Sequence, residues 1–200
     1  MIPTPFAYTD PMSTFSSSAL PKTTRYGAGV FTIHDVLSAQ ECTDQIARSE
    51  QGGYDAAPLQ TAQGPVMASE VRNNDRLIVD DTPLAASLFE RVQVALPPEL
   101  EGWRVSRLNE RFRYYRYTPE QYFKWHYDGT YRASDNEESF LTLLIYLNAN
   151  YTGGATEFGW DAVQPATGMA LVFPHQLRHQ GATIIEGTKY VLRTDVMYQR

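Results

Sequence analysis

The hydrophobic rhythm of the chain changes near residue 100. Before it, apolar positions fall into two helical patterns; beyond it, they follow the two-residue alternation of strands. Val30, Phe31 and Ile33 form a short apolar run that reads as a strand. Ser38 with Glu41 three residues later is a capping box, so a helix is expected from there to about Glu50. Leu84, Leu88, Val92 and Leu96 recur every four residues until Pro97-Pro98 stops them, and Thr82 as N-cap before Pro83 predicts a second amphipathic helix. The intervening stretch, punctuated by Gly52, Gly53, Pro58, Gly64 and Pro65, reads as loop with at most one strand. Its end, Arg72-Asn73-Asn74-Asp75-Arg76, is polar enough to lie at the surface or in a site and not in the core.

From Arg104 onward aromatic and β-branched residues dominate. Strands are expected over Arg111 to Tyr117, Tyr122 to Tyr127, Phe140 to Leu147, Ala170 to Phe173 and Lys189 to Tyr198. Turn signals at Thr118-Pro119, Gly153-Gly154 and Gly168 favour antiparallel pairing. The fold class expected is α+β: a double-stranded β-helix (jelly-roll) core with N-terminal helices packed on one sheet. Pro3, Pro5, Pro11, Pro21 and Ser16 to Ser18 mark an irregular arm over residues 1–22, leaving 23–200 as a single domain.

Composition narrows the function. With 42% hydrophobic residues the chain can bury a core around an internal site. Its net charge of -6 leaves no basic excess for phosphates, so nucleic acid is not an expected partner. The single cysteine, Cys42, cannot close an internal disulfide and reads as a semi-buried helix residue. Residues 1–20 lack a basic, then apolar, leader pattern, and no apolar run approaches membrane-spanning length; a cytoplasmic protein with no membrane partner is the expectation.

The chemistry concentrates around Trp125-His126-Tyr127-Asp128. On a strand, residues i and i+2 share a face, so His126 and Asp128 point the same way. A second imidazole from a distant strand would complete a 2-His-1-carboxylate triad with open coordination positions, and His179 is the candidate. Taken alone, a His-x-Asp triplet equally fits two polar residues on a surface strand. Three further spacings support the site: Lys189 ten residues after His179, Tyr117 nine before His126, and Gly153-Gly154-Ala155-Thr156-Glu157-Phe158 between two strands.

These stretches, in this order, resemble the catalytic core of the prolyl 4-hydroxylase-like 2-oxoglutarate and iron(II) oxygenases. The likeness is carried by Arg113-Tyr-Tyr-Arg-Tyr117, His126-Tyr-Asp128-Gly129, Leu141 to Asn148, Gly153 to Phe158, His179-Gln-Gly181 and Lys189-Tyr-Val191, and it covers most of residues 25–200. The resemblance implies Fe(II) held by His126, Asp128 and His179. Lys189 would pair with the distal carboxylate of 2-oxoglutarate and Tyr117 would hydrogen-bond it. Dioxygen would be the second cosubstrate, with ascorbate a candidate accessory. The implied reaction is hydroxylation of an unactivated C–H, on a protein-bound residue such as proline or on a small molecule, with release of succinate and CO2. One departure stands out: Pro119-Glu120 occupies a turn where relatives commonly have glycine.

Alternatives remain within the site. His175 is a rival to His179, though the gap to Lys189 favours His179 and leaves His175 a neighbouring imidazole; His34 reads as structural. Arg193 rivals Lys189 as the cosubstrate cation, or serves an acidic substrate group, or forms a buried salt bridge with Asp195 among its candidate partners. Tyr115 shares the strand face of Tyr117. Thr156 lines the site or merely turns a hairpin. Arg72, Asn73, Asn74 and Arg76 form a substrate lid or a solvated turn, with nothing in the sequence to choose. Asp128 argues against an iron halogenase, which needs that carboxylate removed. A zinc hydrolase on the same three ligands and an inactive jelly-roll sensing module are the competing classes.

Overall fold

The computed structural model describes residues 20–61 and 64–200; the expected arm lies outside the described residues except for its last three. Strands β1 (Thr23–Gly27) and β2 (Val30–Ile33) lead into α1 (Ala39–Gly52), then β3 (Asp75–Asp80) and α2 (Thr82–Val92). The all-β remainder comprises β4 (Trp103–Leu108), β5 (Arg111–Tyr117), β6 (Phe123–His126), β7 (Glu137–Tyr146), β8 (Thr156–Phe158), β9 (Ala170–Pro174), β10 (His179–Gly181), β11 (Ile184–Glu186) and β12 (Lys189–Gln199), with shorter pairings between them. The large sheet runs β1-β2-β9-β7-β12-β5-β3 and continues to Asp55–Ala56; the small one runs β6-β10-β8 and continues to Ala162–Val163. Their pairings are antiparallel. This is the jelly-roll expected from the strand spacing.

Alternation along the large sheet builds two cores. Phe112 and Tyr114 of β5, Leu141, Leu143 and Ile145 of β7, Ala170 and Val172 of β9, and Leu192 and Val196 of β12 face the helices, where Cys42, Ala85, Leu88 and Val92 meet them. The intervening residues Tyr115, Tyr117, Tyr146, Leu171, Phe173 and Val191 turn inward and pack with Phe158, Val163 and Ile184. A one-residue slip would exchange these faces, so burial on both sides fixes the register. The functional side chains described below sit in the inward set. Among the described residues no helix is long and apolar enough to cross a membrane.

The Ser38–Glu41 capping box is present with both reciprocal bonds. The second helix starts differently from expectation: its N-cap is Asp81, whose carboxylate accepts from the Leu84 amide, and Thr82 is already helical. Asp and Thr both cap well, and the difference is tertiary, because Asp81 also pairs with Arg48 of α1 at 2.5 Å. The loop reading of residues 52–76 missed most of its strands, including the beginning of β3, which pairs with β5. Replacing Asp81 with Ala is expected to cost about 1 kcal/mol of unfolding free energy in denaturant titration. Thr82→Ala should cost less than about 0.5 kcal/mol.

Candidate metal centre

His126 ends β6 and His179 begins β10, and the two are direct cross-strand partners. That pairing brings together residues far apart in sequence. Asp128 follows two residues after His126, anchored by its amide donating to the His175 carbonyl at 3.1 Å. The Nε2 atoms of His126 and His179 lie 3.8 and 3.7 Å from the two Asp128 carboxylate oxygens. All three ligand atoms lie within 4.8 Å of one another. Each imidazole spends its Nδ1 proton on a carbonyl, His126 on Lys124 at 2.7 Å and His179 on Leu177 at 2.9 Å, so each Nε2 presents a lone pair. Phe123 stacks on His126 at 3.4 Å between centroids, and Phe173 meets His179 edge-on at 4.5 Å. The rings cannot turn away.

Burial, and then the neighbouring His179, hold His126 down to about 3, and burial lowers His179 as well. Burial alone would raise Asp128, but Arg193, the two histidines and Thr142 outweigh it and keep the carboxyl well below the usual range. Two neutral nitrogen donors and an anionic oxygen therefore converge near neutral pH with no proton of their own between them. This donor set fits a divalent metal of intermediate softness, iron(II) among them.

Behind Asp128 lies a hydrogen-bond chain whose direction is dictated by proton count. The Thr142 hydroxyl donates its only proton to Asp128 Oδ2 at 2.5 Å, so toward His175 Nδ1, 2.9 Å away, it must accept. His175 therefore carries its proton on Nδ1. Its Nε2 accepts from Ser139 at 2.8 Å, and the Ser139 oxygen in turn accepts from the Tyr131 amide at 2.8 Å. Burial lowers His175 and favours this neutral form. His175 is thus not among the converging ligands; it orients the carboxylate that is. Thr142 and Ser139 went unnoticed in the sequence, although polar residues inside the apolar run of β7 signal a buried partner.

One chamber is lined by His126, Asp128 and His179 together with Tyr115, Tyr117, Thr156, Lys189 and Arg193. Lys189 is 4% exposed, donates to the Gly154 carbonyl at 2.6 Å and lies about 5.5 Å from the rings of Tyr117 and Tyr146. Among the described residues no carboxylate pairs with it, and burial brings its ammonium down to about 7. Gly154 takes φ +68°, and a β-carbon there would sit 2.4 Å from the Ile184 side chain. Glycine is therefore required where the carbonyl meets Lys189. Thr156 bonds the Tyr146 hydroxyl at 2.7 Å on the chamber wall. Arg193, the rival cation, is already engaged, reaching Asp128 at 3.2 Å and Asp195 at 3.1 Å.

The polar stretch upstream is not a solvated turn. Asn74 is fully buried and Arg72 is 5% exposed, its guanidinium 4.6 Å from the Tyr115 ring and 4.5 Å from that of Phe123. Arg72 bridges to Phe123, and the Lys124 amide donates to Val71, so this segment fastens the β6 side of the chamber. Asn73 braces the turn before β6, its side chain accepting from the Tyr122 amide at 2.8 Å. Arg76 lies partly buried on β3. Glu120 takes φ +68°, so the turn before β6 holds a left-handed backbone at a residue other than glycine.

The profile of the 2OG-Fe(II) oxygenase superfamily matches residues 112–194, which span β5 through most of β12 and include all three converging ligands. Over that stretch the chain is similar to the 2OG-Fe(II) oxygenase superfamily. It is 24% identical over 147 residues to prolyl 4-hydroxylase 1 of Arabidopsis thaliana, covering 69% of this chain and 49% of that protein. The chain thus spans about half the length of that relative. A viral collagen prolyl hydroxylase from Paramecium bursaria Chlorella virus-1, solved with 2OG, aligns with TM-score 0.60 at 19% identity over 87% of this chain and 98% of its own. A Trichoplax adhaerens prolyl hydroxylase bound to a hypoxia inducible factor peptide aligns with TM-score 0.63 at 16% identity, over 84% of this chain and 83% of its own. These likenesses to solved structures are likenesses of fold.

The Thr142–His175 chain makes a measurable claim. Removing the imidazole in His175→Ala should weaken iron affinity about tenfold or more in a chelator competition. His175→Asn, whose amide offers a donor near the Nδ1 position, should recover most of that loss.

Proposed function

We propose that the chain is an Fe(II)- and 2-oxoglutarate-dependent dioxygenase that hydroxylates an unactivated C–H bond and releases succinate and CO2. The observation that carries this reading is the pairing, in one chamber, of the three-ligand centre with a buried lysine that lacks an acidic partner among the described residues. His126, Asp128 and His179 would hold iron. Bound iron supplies the site at which 2-oxoglutarate and dioxygen meet and the oxidising power of decarboxylation is directed at a C–H bond.

The residues of the chain do the rest. Lys189 neutralises the distal carboxylate of 2-oxoglutarate, and Tyr117 presents its hydroxyl beside that ion pair. Arg193 is a weaker candidate for this task because Asp128 and Asp195 already occupy its guanidinium. Thr156, Leu144 and Val191 complete the chamber wall and help to limit water at the reacting atoms. Asp128 stays ionised because Arg193 and the two imidazoles face it, and the Thr142 hydroxyl, donating to it, keeps it turned. Prolyl hydroxylases among the relatives and structural neighbours, one of them in complex with a peptide fragment, support a peptide substrate with proline as the target. Arg72, Asn74 and Arg76 lie beside the chamber, where a substrate would arrive. On a zinc hydrolase reading, Lys189 and Tyr117 would have no task.

Anaerobic addition of Fe(II) and 2-oxoglutarate should give a weak visible charge-transfer band, and admitting oxygen should release succinate. A folded protein that shows neither would refute the assignment. Asp128→Ala should abolish turnover, whereas Lys189→Ala should raise the 2-oxoglutarate KM at least about tenfold and leave iron affinity nearly intact. The pH dependence follows from the lysine. Its free-state value is about 7, and only the ammonium form pairs with the dicarboxylate, so affinity should be level below pH 7. Above pH 7 it should weaken about tenfold per unit until the value in the complex is reached, as calorimetry can follow.

A further inference from the structure

Beyond the cosubstrate, the chamber and the sheet edge beside it gather more positive charge than the chemistry consumes. The register of the large sheet sets inward-facing residues in rows: Lys189 beside Tyr117, then Val191 beside Tyr115 and Arg76, then Arg193 beside Arg113 and Ile78. Arg72 lies over the Tyr115 and Phe123 rings, both of which wall the chamber. Four guanidinium groups thus gather at the end away from Lys189. Among the described residues only two carboxylates answer them: Asp195 takes Arg113 and Arg193 at 3.2 and 3.1 Å, and Asp128 takes Arg193 again at 3.2 Å.

Arg72 and Arg76 form no salt bridge among the described residues. Arg72 spends its Nε on the Asn74 amide oxygen at 2.7 Å, and its buried Nη2 has no partner; neither has the buried Nε of Arg193. Leaving buried guanidinium donors unpaired is costly, and a carboxylate is the acceptor that matches such donors best. The surplus is felt locally. Burial alone would raise the Tyr115 phenol, yet Arg193, Arg72 and Arg113 bring it down to about 8. This happens in a chain whose net charge is -6. The dicarboxylate cosubstrate does not account for the surplus, since one of its carboxylates falls to Lys189 and the other to the metal. On the same face Ile78 is 44% exposed, offering apolar surface on β3 beside the arginines.

We propose that Arg72 and Arg76, with Arg113 and Arg193 behind them, bind a carboxylate carried by the primary substrate, so that the enzyme acts on an acidic molecule. This rests on the dioxygenase reading above and specifies its substrate class. The Tyr115 ring separates this subsite from Lys189, and the metal ligands border both, so a substrate held here would extend its C–H toward the centre without displacing 2-oxoglutarate.

The test uses the full chain loaded with Mn(II) and 2-oxoglutarate, so that binding is read without turnover. Calorimetry compares acid and amide twins: N-acetylproline against N-acetylprolinamide, and end-capped Gly-Glu-Pro-Glu-Gly against Gly-Gln-Pro-Gln-Gly. The acid twin of at least one pair should bind about tenfold or more tightly, and the pair that discriminates tells a small acid from an acidic peptide. In Arg76→Gln, partly exposed and so tolerant of change, and in Arg72→Gln, the acid-to-amide ratio should fall toward one. Equal binding of twins in both pairs, no binding by any probe, or a ratio untouched by Arg76→Gln overturns the proposal. Succinate release by the Fe(II)-loaded protein is measured alongside. Its absence would sink the dioxygenase reading, whereas its presence with no acid preference would sink only the anionic subsite.

Discussion

The site is organised around a buried carboxylate. Taking Asp128 out of water would by itself drive it toward the neutral acid, which could not hold a metal. It remains an anion because its oxygens face two imidazoles, a threonine hydroxyl and the Arg193 guanidinium. Much of the surrounding architecture serves this one requirement. β12 supplies Arg193, β7 supplies Thr142, and the segment after β9 supplies His175 to turn the threonine. The cross-strand pairing of β6 with β10 delivers both imidazoles.

The two buried cations of β12 illustrate how position decides role. Lys189 and Arg193 lie on one face of a single strand, two turns of the pleat apart. Lys189 meets only a carbonyl and aromatic rings, so it is poorly solvated and eager for an anion. Arg193 meets two aspartates and acts as a counter-ion to the metal ligand. A lysine gives up its proton readily when buried and a guanidinium does not, which suits the first to a pairing that forms and dissolves and the second to a permanent one.

Much of this was legible in the chain. The strand windows follow from β-branched and aromatic alternation, and the Ser38 capping box and the helical repeat through Val92 are local signals. His126 and Asp128 share a face because i and i+2 always do on an extended backbone. Expectation failed where the deciding contact was distant. Nothing local chooses between a lid and a solvated turn for Arg72 and Asn74 until β5 and β6 close over them, and Thr82 looks like a cap until Arg48 favours Asp81.

The sequence by itself therefore determined the jelly-roll strands, the helices and the shared face of His126 and Asp128, because periodicity and spacing are properties of neighbouring residues. Tertiary structure alone decided which histidine became a ligand's support, which cation was left without an acid and where the surplus arginines gathered. Those outcomes depend on which strands lie side by side, and strand pairing is set by the burial of whole faces of the sheet.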